Sequence, residues 1–175
     1  MKFFVKVMRF FLGSISIYFW DAIVNGFLMS NLLPVHIRQF LLLMLGFKLK
    51  GVIYSGCVVQ SRKLYIGKRS FVNRNCIIDN AGAFVKIGDE VAVGYGCSFL
   101  TTNHNYKNPM RRGGVVFHKP VIVGNRTWIG ANVIILPGAV VGDGCVIAAG
   151  SVVKGILEND YLYAGNPAIP IKKLD

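Results

Sequence analysis

The chain has 175 residues, of which 53% are hydrophobic, only 16% are charged and 20 are glycine. This length allows one domain with a core of useful size, and the composition argues against a disordered chain. The net charge of +12 indicates anionic partners, such as a phosphorylated cofactor, an acidic glycan or an anionic membrane face. The basic residues are scattered and accompany no recognition motif, so no nucleic-acid partner is predicted.

Residues 1–50 are predicted to form an apolar and basic helical region. Three basic side chains among the first nine residues alternate with aromatic and aliphatic ones, and residues 22–37 carry no charge. Those 16 residues are fewer than the roughly 20 needed to span a bilayer. Two interpretations stay open: helices that lie on a membrane surface, or helices that cap the end of the structure that follows or pack against another subunit.

Residues 51–155 contain a repeat with a period of six residues. This period fits neither an α-helix nor an alternating strand, and it predicts a parallel β-helix in which three hexapeptides form one triangular coil. Glycine directly follows the repeated aliphatic residue at Gly124, Gly130 and Gly142, where it is expected to tolerate corner backbone angles. The most regular inward positions are Val123, Ile129, Ile135, Val141, Ile147 and Val153, followed four residues later by Thr127, Val133, Ala139, Cys145 and Ser151.

The same register begins before this regular run, and a short insertion around residues 62–65 shifts its phase. It stops over residues 101–120, a polar loop of a length that is usually functional. After Val153 the chain leaves the repeat, and residues 156–175 are interpreted as a C-terminal tail. The earlier inward positions are Ile53, Val59, Ile66, Val72, Ile78, Ile87, Val93 and Phe99.

The four cysteines each lie four residues after an aliphatic residue, at the inward small position. A thiol there behaves as a small hydrophobe, and the absence of CxxC spacing argues against a zinc site. Buried reduced thiols favour a cytoplasmic protein over a secreted, disulfide-bonded one. These residues are Cys57, Cys76, Cys97 and Cys145.

Catalytic chemistry is first sought at His104, in the segment TTNHNY where the regular coil ends. An imidazole can accept a proton near neutral pH, which suits a general base. His36 is expected to be structural, and His118 at the end of the loop is expected to hydrogen-bond locally. No metal site is predicted, since catalytic zinc would need several converging ligands.

Several segments together resemble the hexapeptide-repeat acetyltransferases: IVGNRTWIGANVIILPGAVVGDGCVIAAGSVV, VNRNCIID, TTNHNY and AGNPAIPIKK. The resemblance is greatest to sugar O-acetyltransferases of the galactoside, maltose and nodulation type. The segment LPVHIRQFLLLMLGFKL looks like the pre-repeat region of the capsular and exopolysaccharide branch. The resemblance implies an all-β, left-handed parallel β-helix, a homotrimer, and acetyl-CoA bound between neighbouring subunits. Handedness comes from the resemblance alone, because strand crossovers are ordinarily right-handed.

Five residues match the family's catalytic and acceptor-binding positions or lie near them. The resemblance makes His104 the base that deprotonates the acceptor hydroxyl. Asn73 would contact the acceptor, or would instead be a corner asparagine in a left-handed conformation. Asp79 would bind a sugar hydroxyl, orient a neighbour, or serve only as a turn carboxylate. Arg111 and Arg112 would favour an anionic or nucleotide-linked glycan.

The resemblance also implies six positions that bind acetyl-CoA. Backbone amides of the coils would hold the pantetheine arm as an added strand, and lysines suit the CoA phosphates. Trp128 would pack beside the thioester or fill a corner between coils, and the last two lysines would bind phosphate or form a solvated tail. The six positions are Trp128, Ala131, Ala149, Lys154, Lys172 and Lys173.

The resemblance therefore predicts an enzyme that transfers acetyl from acetyl-CoA to a hydroxyl of a sugar or polysaccharide precursor. Its expected location is the cytoplasm or the inner face of the cell membrane. Two alternatives stay open: N-acetylation of an amino sugar, and a non-catalytic structural trimer that does not bind acetyl-CoA.

Overall fold

The computed structural model describes residues 16–175, so the basic and aromatic pattern of the first nine residues lies outside the described part. Two short helices come first: α1 (Asp21–Leu28), wound as a π-helix, and α2 (Val35–Met44). We call residues 16–47 the helical cap. All later elements are strands, most of them only two or three residues long.

The strands form three parallel sheets that wrap into a three-sided β-helix. Face A contains β1, β4, β7, β12, β15 and β18, face B contains β2, β5, β8, β13, β16, β19 and β20, and face C contains β3, β6, β9, β14 and β17. Successive strands pass from face A to B to C, so each set of three makes one coil. The strand bounds are β1 (Lys48–Leu49), β2 (Val52–Ile53), β3 (Val58–Val59), β4 (Leu64–Ile66), β5 (Phe71–Val72), β6 (Ile77–Asp79), β7 (Val85–Ile87), β8 (Ala92–Val93), β9 (Ser98–Leu100), β10 (Thr102–His104), β11 (Val116–His118), β12 (Val121–Val123), β13 (Trp128–Ile129), β14 (Ile134–Ile135), β15 (Val140–Val141), β16 (Val146–Ile147), β17 (Val152–Val153), β18 (Ile156–Leu157), β19 (Tyr161–Gly165) and β20 (Ala168–Lys173).

The six-residue repeat produces the core as predicted. Each repeated aliphatic side chain between Ile53 and Val153 is at most 2% exposed. The small residues that lie four positions after the aliphatic ones in the regular run are equally buried. The strands of each coil hydrogen-bond to the equivalent strands of the neighbouring coils, as β13 does with β8 and β16. No coil could keep these hydrogen bonds alone, so the stack folds as one unit.

The three corner glycines were expected to adopt backbone angles that other residues avoid, and this reason is wrong. Gly124, Gly130 and Gly142 do not have the positive φ that favours glycine; that conformation comes three residues after the buried aliphatic, at Arg126 (φ 54) and Asn132 (φ 56) for example. Glycine is required at the first corner position by close approach of the next coil. A Cβ on Gly130 would lie 2.6 Å from the backbone nitrogen of Ala149.

The inner side of the helical cap covers the first coil. The Trp20 indole donates to the carbonyl of Val59 (2.7 Å), and the Gln39 amide donates to the carbonyl of Gly51 (2.6 Å). Val24, Leu28, Met29 and Leu42 are buried in the same core cluster as the coils. No helix within residues 16–175 is long and apolar enough to cross a membrane.

The last residues continue the β-helix rather than forming a tail. Strand β18 adds to face A, and β19 adds to face B beside β16. Strand β20 then turns back antiparallel to β19, with Leu162 opposite Lys172 and Tyr161 opposite Lys173. The two C-terminal lysines are therefore held at fixed places on face B.

All four cysteines are free and buried, as predicted. Cys57, Cys76 and Cys97 occupy the same inward position in successive coils, and their thiols lie 3.1–3.4 Å from the carbonyl oxygens of Asn73, Gly94 and Gly130, respectively. Burial raises the pKa of Cys145. A hydrogen bond to Cys57, together with burial, raises the pKa of Cys76 to about 12.

We expect these thiols to be unreactive in the native protein. Reaction with a disulfide reagent requires an accessible thiolate, and each cysteine is at most 1% exposed. The measurement is thiol titration before and after addition of denaturant, with all four groups appearing only on unfolding. Rapid modification of a thiol in the folded protein would contradict this packing.

Candidate active site

A β-hairpin projects from the coil stack where the repeat is interrupted. Strands β10 and β11 pair antiparallel, with Thr102 opposite His118 and His104 opposite Val116. Directly opposed residues share one face of a hairpin, as do residues two apart on one strand. Thr102, His104 and His118 therefore lie on the same face, and the His104 side chain is exposed to solvent.

Asp79 anchors this hairpin to the second coil. One carboxylate oxygen of Asp79 accepts from the Thr102 hydroxyl (3.2 Å), and the other accepts from the Thr102 backbone N–H (3.2 Å). The Thr102 hydroxyl oxygen also lies 3.2 Å from Nδ1 of His118. Since the single hydroxyl hydrogen goes to the carboxylate, that oxygen accepts from an Nδ1–H of His118. The local hydrogen bonding expected for His118 is thus present.

Gly82 provides the space in which the His118 ring lies. A Cβ at Gly82 would be 1.9 Å from His118 Nδ1, so no side chain fits there without moving the ring. Sequence reasoning missed both Gly82 and Thr102 as site residues. The position of Thr102, two residues before His104, was the available signal, because alternation along a strand puts both on one face.

Replacing Thr102 by valine is expected to lower kcat for group transfer by roughly tenfold, because the hairpin loses hydrogen bonds each worth about 1 kcal/mol. The KM for a ligand bound along the coils should not change. Serine at this position keeps the hydroxyl and should restore kcat. Steady-state kinetics of the two variants test this, with Gly82→Ala as an independent displacement of the same ring. A rise in KM at constant kcat would assign Thr102 to binding instead.

The long loop encloses a cavity next to His104. Its volume is ≈ 440 Å³, and its lining includes Asn105, Asn108, Arg111 and Gly114. Arg112 is placed differently, since its guanidinium donates to the carbonyl of Tyr106 (2.9 Å) within the loop. Of the two arginines, Arg111 is therefore the one available to a ligand in this cavity.

Asn73 lies on a different edge of the prism from the hairpin. It follows β5 on face B, whereas Asp79 ends β6 on face C of the same coil. The alternative that Asn73 is a left-handed corner residue is wrong, because the positive φ in this corner belongs to Asn75 (φ 61). The Asn73 side-chain oxygen accepts from the backbone N–H of Arg74 (3.0 Å).

All the residues expected to bind a cofactor except Lys154 lie on face B or at its edge with face C. Ala131 and Ala149 occupy the same corner as Asn73 in the fourth and fifth coils, and the Ala131 carbonyl accepts from Gly150 N–H (2.9 Å). Trp128 points outward from face B and is 58% exposed, so the alternative that it fills a corner between coils is wrong. Lys172 lies on the same face, three strands further on, about 14 Å away at the usual strand spacing.

The predicted site residues thus form three groups: Trp128, Lys172 and Lys173 lie on face B, and the others lie at the two edges of face C. The edge between faces B and C, edge BC, carries Asn73, Ala131 and Ala149. The edge between faces C and A, edge CA, carries Asp79, the hairpin with His104, the loop with both arginines, and the exposed Lys154 that follows β17. No three His, Cys, Asp or Glu side chains within residues 16–175 are placed to hold a metal ion.

A stack of hexapeptide coils interrupted by one histidine-bearing hairpin defines a class of β-helix transferases, and comparison with known proteins agrees. The family described as bacterial transferase hexapeptide (six repeats) matches residues 120–155. Galactoside O-acetyltransferase of Escherichia coli is 33% identical over 113 residues, which are 64% of this chain and 55% of that protein. The chain spans about half the length of the curated relatives it matches.

Two solved structures extend the match. A maltose O-acetyltransferase from Clostridium difficile superposes with a TM-score of 0.76 and 31% identity, covering 85% of this chain and 81% of that one. A hexapeptide-repeat acetyltransferase from Vibrio cholerae, solved with acetyl-CoA, gives a TM-score of 0.70 and 30% identity over 80% and 78% of the two chains. The chain belongs to the hexapeptide-repeat acetyltransferase family, and its predicted left-handed parallel β-helix is confirmed.

Proposed function

We propose that this protein transfers acetyl from acetyl-CoA to a hydroxyl group of a sugar or of a polysaccharide precursor. The exposed His104, held on the one hairpin that interrupts residues 51–155, is the observation that carries the proposal. Relatives named as galactoside and maltose O-acetyltransferases support the acceptor class. The neighbour solved with acetyl-CoA supports the donor.

His104 acts as the general base. Its imidazole accepts the proton of the acceptor hydroxyl while the hydroxyl oxygen forms a bond to the thioester carbonyl carbon. The carbon–sulfur bond then breaks, and the imidazolium returns the proton to the departing CoA thiolate. Asp79 and Thr102 fix the hairpin that carries His104, so the backbone of the base is held in place before substrate arrives, which favours catalysis.

The two edges of face C come together only in an oligomer. Asn73 lies in the corner before β6 and Asp79 ends β6, so the two residues lie at opposite edges of face C, up to about 20 Å apart at the usual rise per residue. If Asn73 and His104 contact one acceptor, they belong to neighbouring subunits. We propose a homotrimer in which edge BC of one subunit meets edge CA of the next.

Face C itself has the chemistry of a subunit contact. Its outward positions in the first, second and fourth coils are Val58, Ile77 and Ile134, which are 41%, 44% and 37% exposed in the single chain. A stripe of exposed β-branched side chains on a protein surface is typical of a site that is buried in an interface. Packing face C near the symmetry axis buries this stripe and forms three equivalent sites.

Acetyl-CoA would lie along edge BC, with parts of face B beside it. Backbone groups at Ala131 and Ala149 would pair with the pantetheine arm, and Trp128 is free to pack against the thioester end. Lys172 and Lys173, fixed on β20, would meet the phosphates. Lys154, on edge CA, would reach the same groove from the neighbouring subunit.

Arg111 in the loop cavity favours an acceptor that carries negative charge, such as an anionic or nucleotide-linked glycan. Arg112 would support it by holding the loop through Tyr106. The reduced thiols support a cytoplasmic location for the reaction.

The proposal is tested by acetyl-CoA consumption against a panel of free, phosphorylated and lipid-linked glycans. Products are then treated with mild alkali, which cleaves O-acetyl esters and leaves N-acetyl amides. A product that is stable to alkali would show that the enzyme N-acetylates an amino sugar instead. Failure to bind CoA in a calorimetric titration would leave a non-catalytic structural trimer.

A further inference from the structure

The outer side of the helical cap presents an apolar surface that is left exposed among the residues the structure describes, 16–175. On α2, Ile37, Phe40 and Met44 follow the i, i+3, i+7 spacing of one helix stripe and are 49%, 60% and 71% exposed. Large apolar patches on a folded protein mark an interaction site. Other exposed apolar residues of the cap are Ile17, Tyr18, Phe19, Phe27, Leu32, Leu43 and Leu45.

Exposed basic residues lie on the first coil, where it adjoins the helical cap. Residues 16–78 contain eight Lys and Arg and one carboxylate, Asp21. Arg38 is buried inside the cap and Arg69 pairs with Glu90, so six basic side chains remain available to an anionic surface. Lys48 and Lys50 lie on or next to the first strand and are exposed. The Arg62 guanidinium lies over the Trp20 ring, 5.9 Å from its centroid, which places this cation at the junction between the cap and the first coil.

We propose that the outer side of the helical cap docks on an anionic phospholipid membrane. Exposed apolar and aromatic side chains with Lys48, Lys50 and Arg62 beside them fit the interface between acyl chains and anionic headgroups. The described helices are too short to cross a bilayer, so the cap lies in the surface plane. A protein partner would explain the apolar stripe, but it would not by itself explain the excess of exposed Lys and Arg over carboxylates on the adjoining coil.

The direction of the coils makes this contact multivalent. Every cap lies at the first-coil end of its own β-helix, and a trimer with parallel axes directs all three caps to one side. This step depends on the homotrimer proposed above. Three weak contacts on one rigid body bind a surface far more tightly than one does.

The test is cosedimentation of the full-length protein with vesicles. Binding is expected with phosphatidylglycerol mixed into phosphatidylcholine, and it should weaken as NaCl is raised because headgroup attraction is screened. Phe40→Ser with Met44→Ser should weaken binding roughly tenfold or more, since two large apolar contacts are lost. Lys48→Glu with Lys50→Glu should weaken it only where anionic lipid is present.

The matched control carries Ile156→Ser and Ile169→Ser, which are 81% and 56% exposed at the opposite end of the β-helix. This variant should bind vesicles as the wild type does. CoA binding is measured on the same samples and should be unchanged in every variant, so failure of acetyl transfer and failure of docking can be told apart.

Two results would overturn docking. One is equal binding by wild type and the Phe40/Met44 variant. The other is no vesicle binding by wild type, together with a change of oligomeric state in that variant, measured by light scattering. The second result would assign the surface to contact between copies of the chain.

Discussion

Replacing His104 by alanine is expected to lower kcat for acetyl transfer by roughly 10²–10⁴-fold, the usual contribution of a general base. Affinity for CoA should stay close to that of wild type, because the groove proposed for CoA lies along edge BC and His104 lies on edge CA. Steady-state kinetics with the best acceptor and calorimetric titration with CoA give the two quantities separately.

His36→Ala is the matched control for this prediction. His36 is an exposed histidine on α2, far from the hairpin in the fold, so its removal changes histidine content without touching the proposed site. If His104→Ala retains more than half the wild-type kcat, general-base catalysis by this residue is refuted. If it loses CoA binding as well, His104 has a structural role and the base must be sought elsewhere.

The repeat allowed the fold to be predicted in detail because one side-chain position recurs on every coil. The buried positions between Ile53 and Val153 follow from spacing alone, and so do the four inward thiols. The same spacing gave the wrong reason for the glycines. A repeat shows that a position is constrained, but it does not show whether the constraint is the backbone angle or a close neighbour. At Gly130 the constraint is the backbone of the next coil, which lies 18 residues later in sequence and only becomes a neighbour on folding.

The candidate site was less predictable because its contacts join segments outside the repeat. Asp79 and Thr102 are 23 residues apart, and Gly82 supports a ring 36 residues further on. Nothing in either local sequence marks these pairs. They arise because the hairpin leaves the stack at edge CA, directly beside the end of β6.

The proposed division of the site between two edges leads to the sharpest test of assembly. His104→Ala and Asn73→Ala should each be nearly inactive as pure proteins. Chains of the two variants, unfolded together and refolded as mixed trimers, should recover roughly a quarter of wild-type activity, since each site then draws its His and its Asn from different chains at random. A site built within one chain would recover nothing, because no chain in the mixture has both residues.

The recovery should itself depend on face C. Adding Ile77→Arg to both chains places a charge in the apolar stripe, where it is buried in a trimer but remains solvated in a single chain. Mixed chains should then stay monomeric by light scattering and stay inactive, whereas Ile156→Arg on the outward side of face A should leave the recovery intact. Recovery without trimers would disprove a site shared between subunits, and trimers that survive Ile77→Arg would move the contact to another face of the prism.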